Sequence, residues 1–206
     1  EINGAHLVIS RNDSPLYARG FGWADKEKGI KMEPNMLMRF ASVSKLITAV
    51  GIMKLQEMKK LKLNEKMFGP KGILNDTTYN NGIKDQRYYD ITVEQLLRHQ
   101  AGFNNYAGDP VSSTRYIMMQ NRLTTPPDHK TLLRILLKRH LGYTPGQGKC
   151  YSNLGYMILS MVIEKKSGMK YENFMQKYVL QPAGCYDMHI AGTYLKDRRP
   201  NETKYY

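Results

Sequence analysis

The hydrophobic positions open in two short runs, residues 5–10 and 16–23, separated by Arg11-Asn-Asp-Ser-Pro15. β-Branched and aromatic residues on either side of a turn rich in Asn, Asp and Pro predict a β-hairpin. Residues 36–40 have the composition of a further short strand. From residue 42 to about 58 the spacing becomes helical, with Leu46, Ile47, Val50, Met53 and Leu55 apolar and no proline between them. A second helix opens after residue 90, where Thr92 as N-cap and Gln95 three positions on form a capping box ahead of Leu96 and Leu97. Residues 99–130 read as a long loop carrying Gly102, Gly108, Pro110, Pro126 and Pro127, a length more often functional than idle. A basic amphipathic helix is expected at about 130–140. It is followed by the Gly/Pro turn of residues 142–148, a helix over 153–166 stopped by Gly168, and a last helix over 171–180 ended by Pro182 and Gly184. A hairpin followed by a mostly helical remainder is α+β, with no internal repeat.

Composition narrows the function classes. With 41% hydrophobic and 24% charged residues over 206 positions, the chain is globular rather than disordered or fibrous. The longest uncharged apolar-rich run, residues 150–163, is shorter than the ~20 residues a membrane span needs. A net charge of +13 favours anionic partners at long range. The basic residues are scattered, however, as Lys59, Lys60 and Lys62, then Arg134, Lys138 and Arg139, then Lys196, Arg198 and Arg199. They are not concentrated and interleaved with aromatics as in a nucleic-acid surface, so no nucleic-acid partner is expected. Cys150 and Cys185 are too few for a zinc site. An isolated disulfide and two unpaired cysteines acting as small hydrophobes both remain open. The chain begins at Glu1 without an initiator methionine or export signal and closes on Tyr205 and Tyr206 after loop-like residues, so it reads as a segment of a longer protein.

Two short patterns carry possible chemistry. Ser42-Val43-Ser44-Lys45 places a hydroxyl and an amine at i and i+3, one face of a helix, where an amine whose proton affinity is lowered by burial can take the serine proton. The N–H groups of the helix start lie close enough to stabilise a developing oxyanion. The pattern recurs at Ser167-Gly-Met-Lys170, but only Ser42 opens a long apolar helix after a strand. By itself Ser42 is equally an N-cap and Lys45 a surface lysine with a packed stem. Tyr-x-Asn occurs three times, and only Tyr151-Ser152-Asn153 lies in a Gly/Pro-rich turn feeding an apolar helix. A tyrosine held beside a lysine there suits proton transfer; the bland alternative is a turn tyrosine.

With their flanks, these segments resemble the serine β-lactamase and penicillin-binding superfamily, in its class C β-lactamase, DD-peptidase and esterase-like branch. The resemblance runs through residues 38–48, 91–102 and 145–156 and continues weakly into 180–188, in the family's order. It implies an antiparallel sheet flanked by helices, with a helical insertion and the sheet incomplete in this chain. Residues 1–59 would hold the N-terminal strands and nucleophile helix, 60–150 the mainly helical insertion, and 151–206 the return to the α/β part. It implies Ser42 as acylated nucleophile, Lys45 as its activating partner, Tyr151 as general base or proton shuttle, and Asn153 as a hydrogen-bonding partner of Lys45 and the substrate amide. Lys45 is then expected to be largely buried and within about 3–4 Å of Ser42 or Tyr151. His99, in Arg98-His99-Gln100-Ala101-Gly102, is expected to support the loop rather than react. The substrate would be a small molecule or cell-wall peptide: a β-lactam, a D-Ala-D-Ala peptide or a small ester. No metal or organic cofactor is implied, and the setting would be periplasmic or cell-envelope.

The family's third element, a Lys/His-Thr/Ser-Gly strand, is not supplied by the residues that follow Asn153. His129-Lys-Thr-Leu132 lacks the glycine and precedes Tyr151, and Ala191-Gly-Thr193 has the wrong order. The resemblance assigns that strand one oxyanion-hole N–H, and losing such a donor costs about 10²–10³ in rate. The alternative reading is therefore a non-catalytic binding module that keeps the fold.

Overall fold

The computed structural model describes residues 2–106 and 108–206. It is a mixture of helices with a small antiparallel sheet of three strands, and it divides into two compact units, Glu1–Ser42 with Cys185–Tyr206, and Val43–Gly184.

In the first unit, β1 (Gly4–Arg11) and β2 (Ser14–Asp25) form the expected hairpin, and β3 (Ile30–Lys31) pairs antiparallel with the end of β2. The connection is a two-residue turn in which Asn12 and Asp13 both have positive φ, +50° and +60°. Those angles match the right-handed twist of the strands, and Asn and Asp adopt them at little cost. Leu7, Val8, Ile9, Leu16, Tyr17 and Phe21 remain exposed on this hairpin. Residues 36–40, expected to be a strand, make only a one-residue bridge, Leu37 to Glu202, closed by Leu37 N–H to Asn201 O (2.7 Å) and Thr203 N–H to Leu37 O (3.0 Å). The partner segment follows a turn at Arg199–Glu202, which leaves no length for a ladder. Two tyrosine hydroxyls tie residues 205 and 206 to this unit: Arg39 N–H donates to Tyr205 Oη (2.7 Å) and Lys26 N–H to Tyr206 Oη (2.9 Å). Arg198 pairs with the buried carboxylate of Asp25 at 3.3 Å.

The second unit is helical: α1 (Ser44–Glu57), α2 (Thr77–Asn80), α3 (Val93–Leu97), α4 (Thr114–Gln120), α5 (His129–Leu136), α6 (Asn153–Ser167) and α7 (Tyr171–Met175). Helix α6 forms its centre, packing on α1, α3 and α7 through Leu154, Ile158, Leu159, Val162 and Ile163, all buried. The facing side of α1 contributes Ile52 and Leu55, both fully buried. Gly51 lets α1 approach closely, since a Cβ there would lie 2.6 Å from Met175 Sδ. The capping box at α3 is present as expected: Gln95 N–H donates to Thr92 Oγ1 (3.3 Å) and Thr92 N–H to Gln95 Oε1 (2.9 Å).

Three expectations are corrected. The loop over 99–130 contains α4, whose Ile117 is buried. Helix α5 stops at Leu136 rather than 140. The last helix is α-helical only to Met175 and then widens into a π turn over Gln176–Leu180 before Pro182. Helix α1 is apolar on two sides. Val43 just ahead of it, with Leu46, Val50 and Met53, is exposed, while the opposite side is buried. No helix among the described residues is long and apolar enough to cross a membrane.

Candidate active site

Lys45 lies in the first turn of α1 and Tyr151, Ser152 and Asn153 at the start of α6, and the packing of these helices brings the two segments together. Lys45 Nζ donates to Asn153 Oδ1 at 2.5 Å and stands 4.6 Å from the centre of the Tyr151 ring and 5.8 Å from that of Tyr156. A cation over an aromatic face gains about 0.5–1 kcal/mol at a partly exposed site. Lys45 is half-buried, not largely buried as expected. The cover on that side is Tyr151, itself 48% exposed, so water reaches the amine's surroundings. Ser42 is exposed and sits in the 3-10 turn Ala41–Val43 that leads into α1; it closes the first unit, three positions ahead of Lys45 in the chain. The residue before it, Ala41, has φ +43°, a strained angle for alanine of the kind that concentrates at functional turns.

Every backbone hydrogen-bonding group shown for residues 150–153 has a partner from the loop after α3. Cys150 N–H donates to His99 O (3.0 Å), and Asn105 Nδ2 donates to Tyr151 O (2.7 Å). Ser152 N–H donates to His99 Nδ1 (3.1 Å), and Asn153 N–H donates to Asp109 Oδ2 (3.0 Å). Ser152 Oγ caps α6 by accepting from Gly155 N–H (3.0 Å), one of the helix-start donors that lack an intrahelical partner. Asn153 Nδ2 reaches Ser112 Oγ at 3.4 Å, which fixes the amide with its oxygen toward Lys45. His99 packs its ring on Tyr151 (4.8 Å between centroids) and Tyr156 (5.2 Å). Burial, followed by the positive charges of Lys45 and Lys149, pushes the His99 imidazolium form down. Burial also raises the Tyr156 phenol.

A model of the Beta-lactamase family matches residues 1–206. The chain belongs to the Beta-lactamase family. Penicillin-binding protein 4* of Bacillus subtilis (strain 168) is 28% identical over 208 residues, covering all of this chain and 42% of that protein. Protein flp of Staphylococcus aureus (strain MRSA252) is 26% identical over 204 residues, 99% of this chain and 37% of its own length. Among solved structures, the octameric penicillin-binding protein homologue from Pyrococcus abyssi matches with a TM-score of 0.69 at 25% identity, over 98% of this chain and 43% of that one. The chain thus spans about two fifths of the length of the curated relatives it matches.

In this Beta-lactamase-family chain, sequence patterns singled out Lys45, Tyr151 and Asn153, which the fold assembles, but not Asn105, Asp109, Ser112 or Tyr156. Only Asp109 carries a local signal. Its Oδ1 accepts from Val111 N–H (3.0 Å) and Ser112 N–H (3.2 Å), the Asx-type turn that an Asp before Pro favours. Among the described residues, no group of three or more His, Cys, Asp or Glu side chains is placed to hold a metal ion. Cys150 and Cys185 are both thiols.

Proposed function

We propose that this chain carries the nucleophile and proton-transfer groups of a serine hydrolase that works through an acyl-enzyme. The observation that supports this most is the 2.5 Å hydrogen bond from Lys45 to Asn153 with Tyr151 alongside, which unites two motifs 108 residues apart in the chain. In this reading Ser42 Oγ attacks the substrate carbonyl carbon, and its proton passes to the Lys45–Tyr151 pair. The carbon–leaving-group bond then breaks as that proton is delivered to the departing nitrogen or oxygen. Water attacks the ester in the second half, with the proton path reversed. Asn153 holds Lys45 in register and offers its amide to the substrate. The penicillin-binding relatives favour a β-lactam or a D-Ala-D-Ala peptide as substrate, with a small ester as the third class, and a periplasmic or cell-envelope setting. A non-catalytic binding module predicts tight substrate association without a covalent step.

General acid–base groups typically contribute 10²–10⁴ in rate. The full-length protein's pre-steady-state acylation by a chromogenic ester or penicillin should therefore fall about 10²-fold or more in Lys45→Met and in Tyr151→Phe, with the fold retained by circular dichroism. Acylation rates unchanged in both variants would remove these two residues from the chemistry.

A further inference from the structure

His99 makes more contacts with the Tyr151–Asn153 turn than a loop support needs. Its backbone has φ +60°, where a non-glycine residue sits only when its surroundings hold it there. Its N–H donates to Leu96 O (3.2 Å), while its carbonyl accepts from Cys150 N–H (3.0 Å) and Tyr143 Oη–H (3.2 Å). Glycine or asparagine would take that backbone angle more easily. What histidine adds is its ring. Nδ1 accepts from Ser152 N–H at 3.1 Å, between the two candidate residues Tyr151 and Asn153, and the ring face backs Tyr151 at 4.8 Å and Tyr156 at 5.2 Å. Because Nδ1 accepts, the ring proton of the neutral form belongs on Nε2.

We propose that His99 is a positioning residue for acyl transfer, its Nδ1 bond to Ser152 N–H and its ring setting the Tyr151 side chain against Lys45. This rests on the reading of Lys45 and Tyr151 as proton-transfer groups. Protonation at Nδ1 replaces the acceptor with a donor facing a backbone N–H, so the turn loses its anchor. Burial, with the ring lying against Tyr151 and Tyr156 near the start of α6, and then the charges of Lys45 from α1 and Lys149 from the 142–150 turn, disfavour that protonation at neutral pH. Tyr143 and Cys150 bear on the His99 carbonyl rather than the ring, and Arg98 beside it is paired with Glu94 at 3.0 Å. Burial, then Lys45 and Lys149, lowers the histidine below its ordinary value of 6.5, so the anchored form prevails at neutral pH and is lost as the solution is acidified past that value.

Asparagine at this position separates the anchor from the titration. It tolerates the positive φ and can present Oδ1 where Nδ1 was, but does not protonate. The test is the pH profile of Ser42 acylation in full-length wild type, His99→Asn and His99→Ala, together with the ¹⁵N-detected tautomer of His99. The expected result is an Nε2–H tautomer at neutral pH and an acid limb below pH 6.5 in wild type that His99→Asn lacks. His99→Ala should lose about 10²-fold in acylation rate, as a misplacement of about 1 Å typically does, with a substantial part recovered in His99→Asn. An Nδ1–H tautomer, an unchanged acid limb in His99→Asn, or a wild-type rate in His99→Ala would overturn the proposal. Should the wild type show no acylation at all, the catalytic reading fails. The tautomer then still decides whether His99 anchors the turn.

Discussion

Gly102 has φ +91°, and a Cβ added there would stand 2.5 Å from the carbonyl oxygen of Tyr143. Alanine at this position meets two separate penalties. The left-handed backbone costs a non-glycine residue roughly 1–2 kcal/mol. The overlap with Tyr143 O also requires the two segments to part by several tenths of an ångström, weakening Gly142 N–H to Gly102 O (2.8 Å) and adding the roughly 1–3 kcal/mol of an overpacked site. Gly102→Ala should therefore destabilise the protein by about 3 kcal/mol, a fall in Tm of about 6–12 °C for a domain of this size. Gly168 supplies the control. It has φ +71° at the end of α6 with nothing within 4 Å of an added Cβ, so Gly168→Ala meets only the backbone penalty, about 1 kcal/mol. Thermal and urea melts of the two variants beside wild type measure both. Because Gly102 closes the loop that carries His99 toward the Tyr151 turn, its variant should also slow acylation while Gly168→Ala does not. Equal destabilisation by the two substitutions would refute the close approach of residues 102 and 143.

The capping box gives a second prediction: Thr92→Ala removes the acceptor for Gln95 N–H at 3.3 Å and should cost about 1 kcal/mol in a urea melt, with Thr92→Ser restoring most of it. Asp85 gives a third. Its carboxylate takes Arg87 Nε (3.0 Å) and Nη2 (2.7 Å) and the backbone N–H groups of Arg87 (3.1 Å) and Leu141 (3.0 Å), and the Arg87 bonds hold its carboxyl well below the usual carboxylate range. The folded value lies below the unfolded one, so this stabilisation is complete above pH about 4 and is lost as the pH falls from there. The Tm gap between wild type and Asp85→Asn should be constant from pH 7 to 5 and narrow on acidification below about 4; a gap independent of pH would remove Asp85 from the acid response.

Much of the fold was legible because its signals are local. Asn12-Asp13 between two β-type runs encodes a two-residue hairpin turn, and Thr92 with Gln95 encodes a helix start, irrespective of what packs against either. The pairing of Lys45 with Asn153 was expected only from a family resemblance, because no local pattern specifies contacts over 108 residues. What stayed hidden lies where apolarity does not say which way a side chain faces. The residues that marked α1 as a helix include Leu46, Val50 and Met53, all exposed, whereas its buried side rests on Ile52, Leu55 and the close approach at Gly51. A helix apolar on two sides gives no amphipathic sign. Asn105 and Ser112 were silent, since each reaches the site through a bond to a residue at least 40 positions away along the chain, and the local turn at Asp109 does not say that its other oxygen meets Asn153. The Met36–Phe40 region shows the converse: strand composition forms a ladder only when a partner of equal length lies beside it.

The most direct test of the account is the site of covalent modification. The full-length protein is incubated with a penicillin, a D-Ala-D-Ala depsipeptide, a small activated ester and a fluorophosphonate, and its intact mass and peptide map are recorded. A single adduct on the peptide containing Ser42, absent in Ser42→Ala and formed at least 10²-fold more slowly in Lys45→Met, is the predicted result. No adduct with any of the four reagents, or an adduct on another residue, would contradict it.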